Sequence, residues 1–137
     1  MKIIRFLLIM VFFISCSNFY GDEDLGNGYF LWKEGRYKKI VYNEDGTSGD
    51  GGYSVIKNNV INVKSNEHHI IVQTLDFEDS GQEVRKYWII DKAVSINMDD
   101  CNNQESCDKT LKSNVTGPLD SLNFSKFIKK ENIKLPF

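Results

Sequence analysis

Hydrophobic and polar positions alternate in short runs over most of the chain between residues 29 and 98. Alternation with a period of two is typical of β-strands that bury one face. Turn-forming residues separate the runs at intervals of about 8–12 residues, a spacing typical of an antiparallel meander. A flexible loop is expected at residues 43–52 and a turn at residues 79–81. The predicted strands cover residues 29–33, 36–42, 53–57, 60–64, 70–77 and 84–98.

Residues 53–64 carry the clearest local pattern, two β-branched runs that flank Asn58 and Asn59. Asn tolerates a positive φ, so we expect a tight two-residue turn between the runs. In the resulting hairpin Ile56 lies opposite Ile61. The pattern therefore predicts that these two runs are neighbours in one sheet.

The hydrophobic period changes near the C-terminus, where residues 121–133 place apolar side chains at helical spacing. Asp120 or Ser121 can cap the start of a helix, and Lys129 and Lys130 lie towards its end, where cations suit the helix dipole. The predicted apolar face consists of Leu119 or Leu122 together with Phe124, Phe127 and Ile128. The sequence thus predicts an α+β fold, mainly an antiparallel β-meander with one C-terminal amphipathic helix packed on the sheet.

The N-terminus has the pattern of an export signal. Lys2 and Arg5 precede an uninterrupted apolar run at residues 6–14. A helix that spans a bilayer needs about 20 apolar residues, so this run is too short to be a membrane anchor. A basic start followed by a short apolar stretch is typical of a signal peptide.

The residues "FISC" before and at Cys16 resemble the lipobox of bacterial lipoproteins, although Phe13 stands where Leu is usual. The resemblance implies removal of residues 1–15, diacylglycerol on the Cys16 thiol and a lipid anchor in a membrane. It also implies a cell-envelope location, and Ser17, rather than Asp, after the Cys favours the outer membrane or cell surface over the inner membrane. The alternative is that Cys16 forms a disulfide within a mature domain.

The predicted division is a signal at residues 1–15, a lipidated Cys with an acidic tether at residues 16–28, and a single β-rich domain at residues 29–137. The acid-rich segment 21–28 looks like a solvated tether, because its carboxylates lack the spacing of a calcium site. The whole chain of 137 residues has a formal net charge of −2. This mild acidic excess argues against nucleic acid as a partner.

Cys101 and Cys107 form a second candidate site. Outside the cytoplasm, an even pair of thiols at short separation favours a disulfide, here one that closes a small surface loop. The alternative, a zinc site, needs four ligands, and the chain's two His residues lie far away in sequence. No metal and no cofactor is therefore assigned.

No residue pattern points to a particular catalytic chemistry. His68 and His69 are adjacent and would point to opposite faces of a strand, so we interpret them as a surface pair near a turn. Glu78, Asp79 and Glu83 surround a predicted turn, where carboxylates are normally solvated, and a glycosidase pair there is the alternative. The fragment at residues 43–46 matches only the first half of a calcium loop, so we interpret it as a turn.

Aromatic residues are frequent on the predicted strands, and alternation forces some of them outwards, for example one of Tyr87 and Trp88. Exposed Tyr and Trp side chains are suited to binding a protein partner. Most of the aromatics are nevertheless expected in the core.

The order of features resembles a family of small bacterial lipoproteins of unassigned function. The resemblance rests on the Cys-tipped signal, "DLGNGYFLW", "YWIIDK" and "GPLDSLNFSKFIKKENI". It implies no catalytic residue. The function expected from the sequence is that of a membrane-anchored, non-enzymatic binding protein, such as an immunity or inhibitor protein with a protein partner in the envelope. The alternatives are a small exported hydrolase and a purely structural envelope lipoprotein.

Overall fold

The computed structural model describes residues 21–48, 52–57 and 59–135. These residues form two antiparallel sheets of four strands each, with strand orders β1-β2-β3-β4 and β5-β6-β7-β8. The predicted α+β, mainly β fold is confirmed. The strands are β1 (Glu23–Gly26), β2 (Tyr29–Glu34), β3 (Tyr37–Tyr42), β4 (Tyr53–Ile56), β5 (Asn59–Ser65), β6 (His69–Phe77), β7 (Glu83–Asp91) and β8 (Val115–Leu119).

The first sheet begins earlier than the sequence predicts, because part of the expected acidic tether is strand β1. Leu25 at its centre is only 5% exposed and belongs to the core. A two-residue turn joins β1 to β2, with φ of 55° at Asn27 and 81° at Gly28. Two consecutive positive φ values define the type I′ turn, which Asn-Gly favours. The tether prediction is therefore wrong from Glu23 onwards.

The predicted hairpin between Ile56 and Ile61 is also wrong. Ile56 pairs with Ile40 of β3, and β5 pairs with β6 in the other sheet. The chain crosses between the sheets at this point, because Val55, Ile56 and Val60 are all buried in the core that the sheets share. Burial of these side chains outweighs the local preference for a tight turn.

The second sheet is the middle layer of the fold. Alternate residues of its central strands face the first sheet, among them Ile70, Val72 and Ile90. Ile71 and Ile89 face the opposite way, towards the C-terminal helix. Because both faces are covered here, residues 70–72 of β6 form a continuous apolar run, "IIV", in which all three side chains are buried.

Two α-helices follow β7, α1 (Gln104–Leu111) and α2 (Ser121–Lys130). The second is the predicted amphipathic helix, capped by Asp120, whose Oδ1 accepts a hydrogen bond from Asn123 N at 2.7 Å. Leu119, but not Leu122, packs with this helix on the second sheet, since Leu122 is 65% exposed.

The first helix, α1, is not predicted by the sequence, which indicates a polar loop there. Asn103 begins it with a reciprocal cap to Ser106, in which each side chain accepts from the other residue's backbone N–H. A short 3-10 helix (Met98–Asp100) precedes it, and Met98 and Leu111 enter the core from this segment. The segment between β7 and β8 is thus a lid on the core rather than only a surface loop.

Candidate functional site

A cleft of about 220 Å³ opens at one end of the molecule. It lies where the β1–β2 turn, the start of β2, the end of β3 and the segment after β7 meet. We call it the Lys92 cleft. Its lining residues are Asn27, Tyr29, Tyr42, Lys92, Ala93, Val94, Ser95 and Ile96.

Lys92 is the charged group of this cleft and is only 9% exposed. Its ammonium lies beside the backbone of Gly26, where a Cβ would come within 2.9 Å of Nζ. The φ of 85° at Gly26 also favours glycine at this position. Within the described parts of the chain, Lys92 Nζ forms neither a hydrogen bond nor an ion pair. Burial lowers the pKa of Lys92, and the negative charge of Asp24 acts in the opposite direction.

The backbone of Lys92 is held at both of its polar groups. Asn27 Nδ2 donates to Lys92 O at 3.1 Å, and Lys92 N donates to His68 O at 2.8 Å. The Asn27 bond ties the β1–β2 turn to the end of β7. The type I′ turn therefore positions the two sides of the cleft relative to each other.

Tyr29 and Tyr42 form an aromatic wall, with ring centroids 5.1 Å apart and planes tilted by 55°. Burial raises the pKa of Tyr29 to about 12, although a hydrogen bond from Asn114 lowers it. Burial also raises the pKa of Tyr42, assisted by the charge of Glu44. Both phenols are therefore neutral hydrogen-bonding groups at physiological pH.

An ammonium group beside two protonated phenols is suited to holding a negatively charged or hydrogen-bond-accepting group. One side of the cleft is formed by the segment 92–96, in which Val94 is exposed. The cleft is therefore a candidate binding site. It does not by itself supply a nucleophile and base held against each other.

A second cleft, of about 150 Å³, lies between the second sheet and the end of α2. Its polar lining includes His69, Asp91, Asn114 and Glu131. Asn114 Oδ1 is buried here without a hydrogen-bond partner among the described residues. Asp91 Oδ1 already accepts from Ala93 N at 2.9 Å. The Lys92 cleft is the stronger candidate, because it is lined by a charged residue that is only 9% exposed and forms no ion pair within the described residues.

Of the site residues predicted from the sequence, Cys16 lies outside the described residues. Cys101 and Cys107 lie within disulfide-bonding distance, with Cα atoms 4.4 Å apart. Cys101 packs against the core and Cys107 lies in α1, so the pair joins the 3-10 segment to that helix. It does not close a purely exposed loop.

The other sequence candidates do not come together. His68 and His69 contact each other edge to face, with ring centroids 6.4 Å apart, at the start of β6. Glu78, Asp79 and Glu83 are all exposed around the β6–β7 turn. In the residues that the structure describes, no group of three or more His, Cys, Asp or Glu could hold a metal ion.

The fragment at residues 43–46 forms the predicted turn. Thr47 N and Oγ1 both donate to Asp45 Oδ1, at 3.0 and 2.7 Å. These hydrogen bonds lower the pKa of the Asp45 carboxyl. The Asp45 carboxylate is therefore occupied by hydrogen bonds within its own turn.

The aromatics divide between core and surface. Tyr87 stacks on Phe124 of α2, with centroids 4.5 Å apart, and Trp88 Nε1 donates to Thr74 Oγ1 on the other face of the sheet. Neither is fully exposed, because both faces of the second sheet are covered. Tyr37, at the start of β3, is 77% exposed. Tyr37 does not line the Lys92 cleft, whereas the exposed Tyr53 pairs with Tyr42 of its wall.

Sequence reasoning missed Lys92 and Asn114. Lys92 is the last residue of the "YWIIDK" segment. Its position directly after a buried strand is the sequence feature that could have identified it as a candidate. The Asn-Gly pair at residues 27–28 was a second signal, because it predicts the turn that closes the cleft. Asn114 carries no local signal, since its partners are distant in sequence.

No family model, curated protein or solved structure matches this chain. Among the described residues, no helix has the length and apolar character needed to cross a bilayer.

Proposed function

We propose that this protein is a non-enzymatic binding protein held at the surface of a bacterial envelope membrane by lipid on Cys16. The lipobox-like "FISC" supports the anchor and the resemblance to small lipoproteins. The Lys92 cleft supports the binding role, because its lining includes a lysine that forms no ion pair among the described residues. The partner is a protein of the envelope or an exported toxin or lytic enzyme that this protein neutralises.

The anchor is tested by replacing Cys16 with Ser. Metabolic labelling with a palmitate analogue should disappear, and the protein should leave the membrane fraction. The matched control is the double variant Cys101→Ser, Cys107→Ser, which should keep the label. Lipid labelling that survives in Cys16→Ser contradicts the anchor.

The binding role is tested by pull-down from detergent-solubilised envelopes and from secreted fractions, with the full chain as bait. Val94→Trp narrows the Lys92 cleft at an exposed position, and Leu122→Trp places the same side chain on the exposed side of α2. A specific partner should be retained by Leu122→Trp and lost by Val94→Trp. Equal retention by both variants contradicts the cleft as the binding site. Turnover of a substrate in a broad hydrolase screen would overturn the non-enzymatic assignment.

A further inference from the structure

We propose that the Lys92 cleft recognises a carboxylate group; this inference rests on the binding function proposed above. The Lys92 residue is only 9% exposed, and its side chain forms no ion pair within the described residues. A cation with restricted access to water and no ion-pair partner attracts an anion more strongly than a fully solvated cation does. An anion entering the cleft supplies the missing partner.

The charges near the cleft disfavour a dianionic ligand more than a monoanionic one. Lys92 contributes one positive charge, and Asp24 interacts with it electrostatically. Glu44 acts on Tyr42 and Asp91 acts on Tyr29 in the same way. The three carboxylates oppose the attraction of Lys92 for any anion, and they repel a phosphate dianion about twice as strongly as a carboxylate monoanion. Of these two ligands, the cleft therefore favours the carboxylate.

Hydrogen-bond donors complement that charge. Tyr29 Oη accepts from Asn114 Nδ2 at 2.8 Å, which leaves its own hydrogen available to donate. Among the described residues, neither Tyr29 nor Tyr42 donates its hydroxyl hydrogen to a protein acceptor. A carboxylate accepts several hydrogen bonds at once, and those to a charged donor are the strongest.

The size and walls of the cleft restrict what accompanies the carboxylate. Its volume of about 220 Å³ is below the range of about 300–1,000 Å³ that whole small-molecule ligands occupy. Val94 and Ile96 add apolar surface beside the charge. The cleft thus accepts the carboxylate end of a ligand with a short aliphatic stem. A free short-chain acid and an acidic side chain of a protein both supply this chemistry.

The test is a titration of the full-length ¹⁵N-labelled protein in detergent micelles, followed by the amide resonances of Asn27, Ala93 and Val94. Acetate and butyrate should produce saturable shifts, whereas chloride at equal ionic strength and inorganic phosphate should not. The blocked tripeptide Ala-Glu-Ala, with Ala-Gln-Ala as its control, tests the acidic side chain as a source. Binding of the Glu peptide assigns the site to a protein partner, and binding of the free acids alone assigns it to a small molecule.

Lys92→Met keeps the length of the side chain and removes its charge, and should weaken acetate binding by about tenfold to hundredfold. Lys126→Met removes the same charge from an exposed position of α2 and should leave the affinity unchanged. If Lys92→Met does not fold, Val94→Trp provides the second test, because it should abolish the shifts by filling the cleft.

Unchanged acetate affinity in Lys92→Met or Val94→Trp would overturn the carboxylate site, as would equal binding of phosphate or the absence of saturable shifts. If a partner is still captured in a cleft-dependent manner, the proposed binding function survives that failure. If acetate still binds in the cleft but no partner is captured through it, the carboxylate site stands and the proposed binding function is overturned.

Discussion

Tyr29 and Asn114 are 85 positions apart in sequence, and a buried hydrogen bond of 2.8 Å joins Asn114 Nδ2 to Tyr29 Oη. The same amide nitrogen also donates to Asp91 O at 2.7 Å. One side chain before β8 therefore connects the first sheet to the end of β7. The position of Lys92, the residue after Asp91, depends on this connection.

Asn114→Ala should lower the free energy of unfolding by about 2–3 kcal/mol, because it removes one buried and one partly buried hydrogen bond and leaves Asp91 O without that donor. The measurement is urea denaturation. Asn102→Ala is the matched control, since Asn102 is exposed, and should change stability by less than about 0.5 kcal/mol. Similar losses in both variants would contradict the role assigned to Asn114.

Tyr29 makes stability depend on alkaline pH. Its folded-state pKa of about 12 lies above the ordinary value of 10.0, so the folded protein holds this proton more tightly than the unfolded chain. The resulting stabilisation is fully present below pH 10 and is lost as the pH rises through 12, by about 2–3 kcal/mol. Stability measured between pH 9 and 12 should therefore fall less steeply in Tyr29→Phe.

Spectrophotometric titration of tyrosinate gives a direct measurement of the same effect. The titration of the native protein should contain one late step near pH 12 that is absent from Tyr29→Phe. Tyr37→Phe, at a position that is 77% exposed, should retain this late step. A late step that persists in Tyr29→Phe would mean that another tyrosine is responsible.

The double variant Cys101→Ser, Cys107→Ser should remain folded and lose at most about 3 kcal/mol, because the two cysteines enclose a short segment of chain. Guanidinium denaturation measures the loss, and wild-type protein treated with reductant should lose a similar amount. Mass spectrometry after alkylation without reductant should find both thiols unmodified. A variant that is unfolded in buffer would show that the lid formed by the 3-10 segment and α1 requires the covalent link.

Leu119→Ala should destabilise the protein by about 1–2 kcal/mol, whereas Leu122→Ala should change stability by less than about 0.5 kcal/mol. Leu119 packs with α2 against the second sheet, and Leu122 faces solvent. Thermal unfolding of the two variants under identical conditions distinguishes them. An equal or larger effect of Leu122→Ala would contradict this orientation of the helix.

Strands β2, β3, β6 and β7 and helix α2 were predictable, because each carries its own period of apolar residues. The predictions from sequence were wrong where contacts between distant residues determine the structure. Val55 and Val60 look locally like the two arms of a hairpin, yet both belong to the core shared by the two sheets. Leu25 is a single apolar residue among acidic ones, so strand composition alone could not reveal β1.

The candidate site was predictable only in part, for the same reason. The sequence indicates the Asn27-Gly28 turn, but it does not indicate which chain segment the Asn27 side chain contacts. The contact with Lys92 O spans 65 positions. Lysines are usually solvated, so burial of Lys92 follows from the fold and not from its neighbours in sequence.

The early start of β1 limits how far the protein can extend from a membrane. With lipid on Cys16, as proposed, only the short segment up to Glu23 links the bilayer to the first sheet. A fully extended chain spans at most about 3.6 Å per residue, so the linker from Cys16 to Glu23 is at most about 25 Å long. The Lys92 cleft adjoins the turn at the far end of β1, which places its mouth within a few nanometres of the lipid headgroups. A ligand of the cleft must therefore reach a point close to the membrane. A free solute, a slender partner protein or a projecting segment of a larger partner can do so.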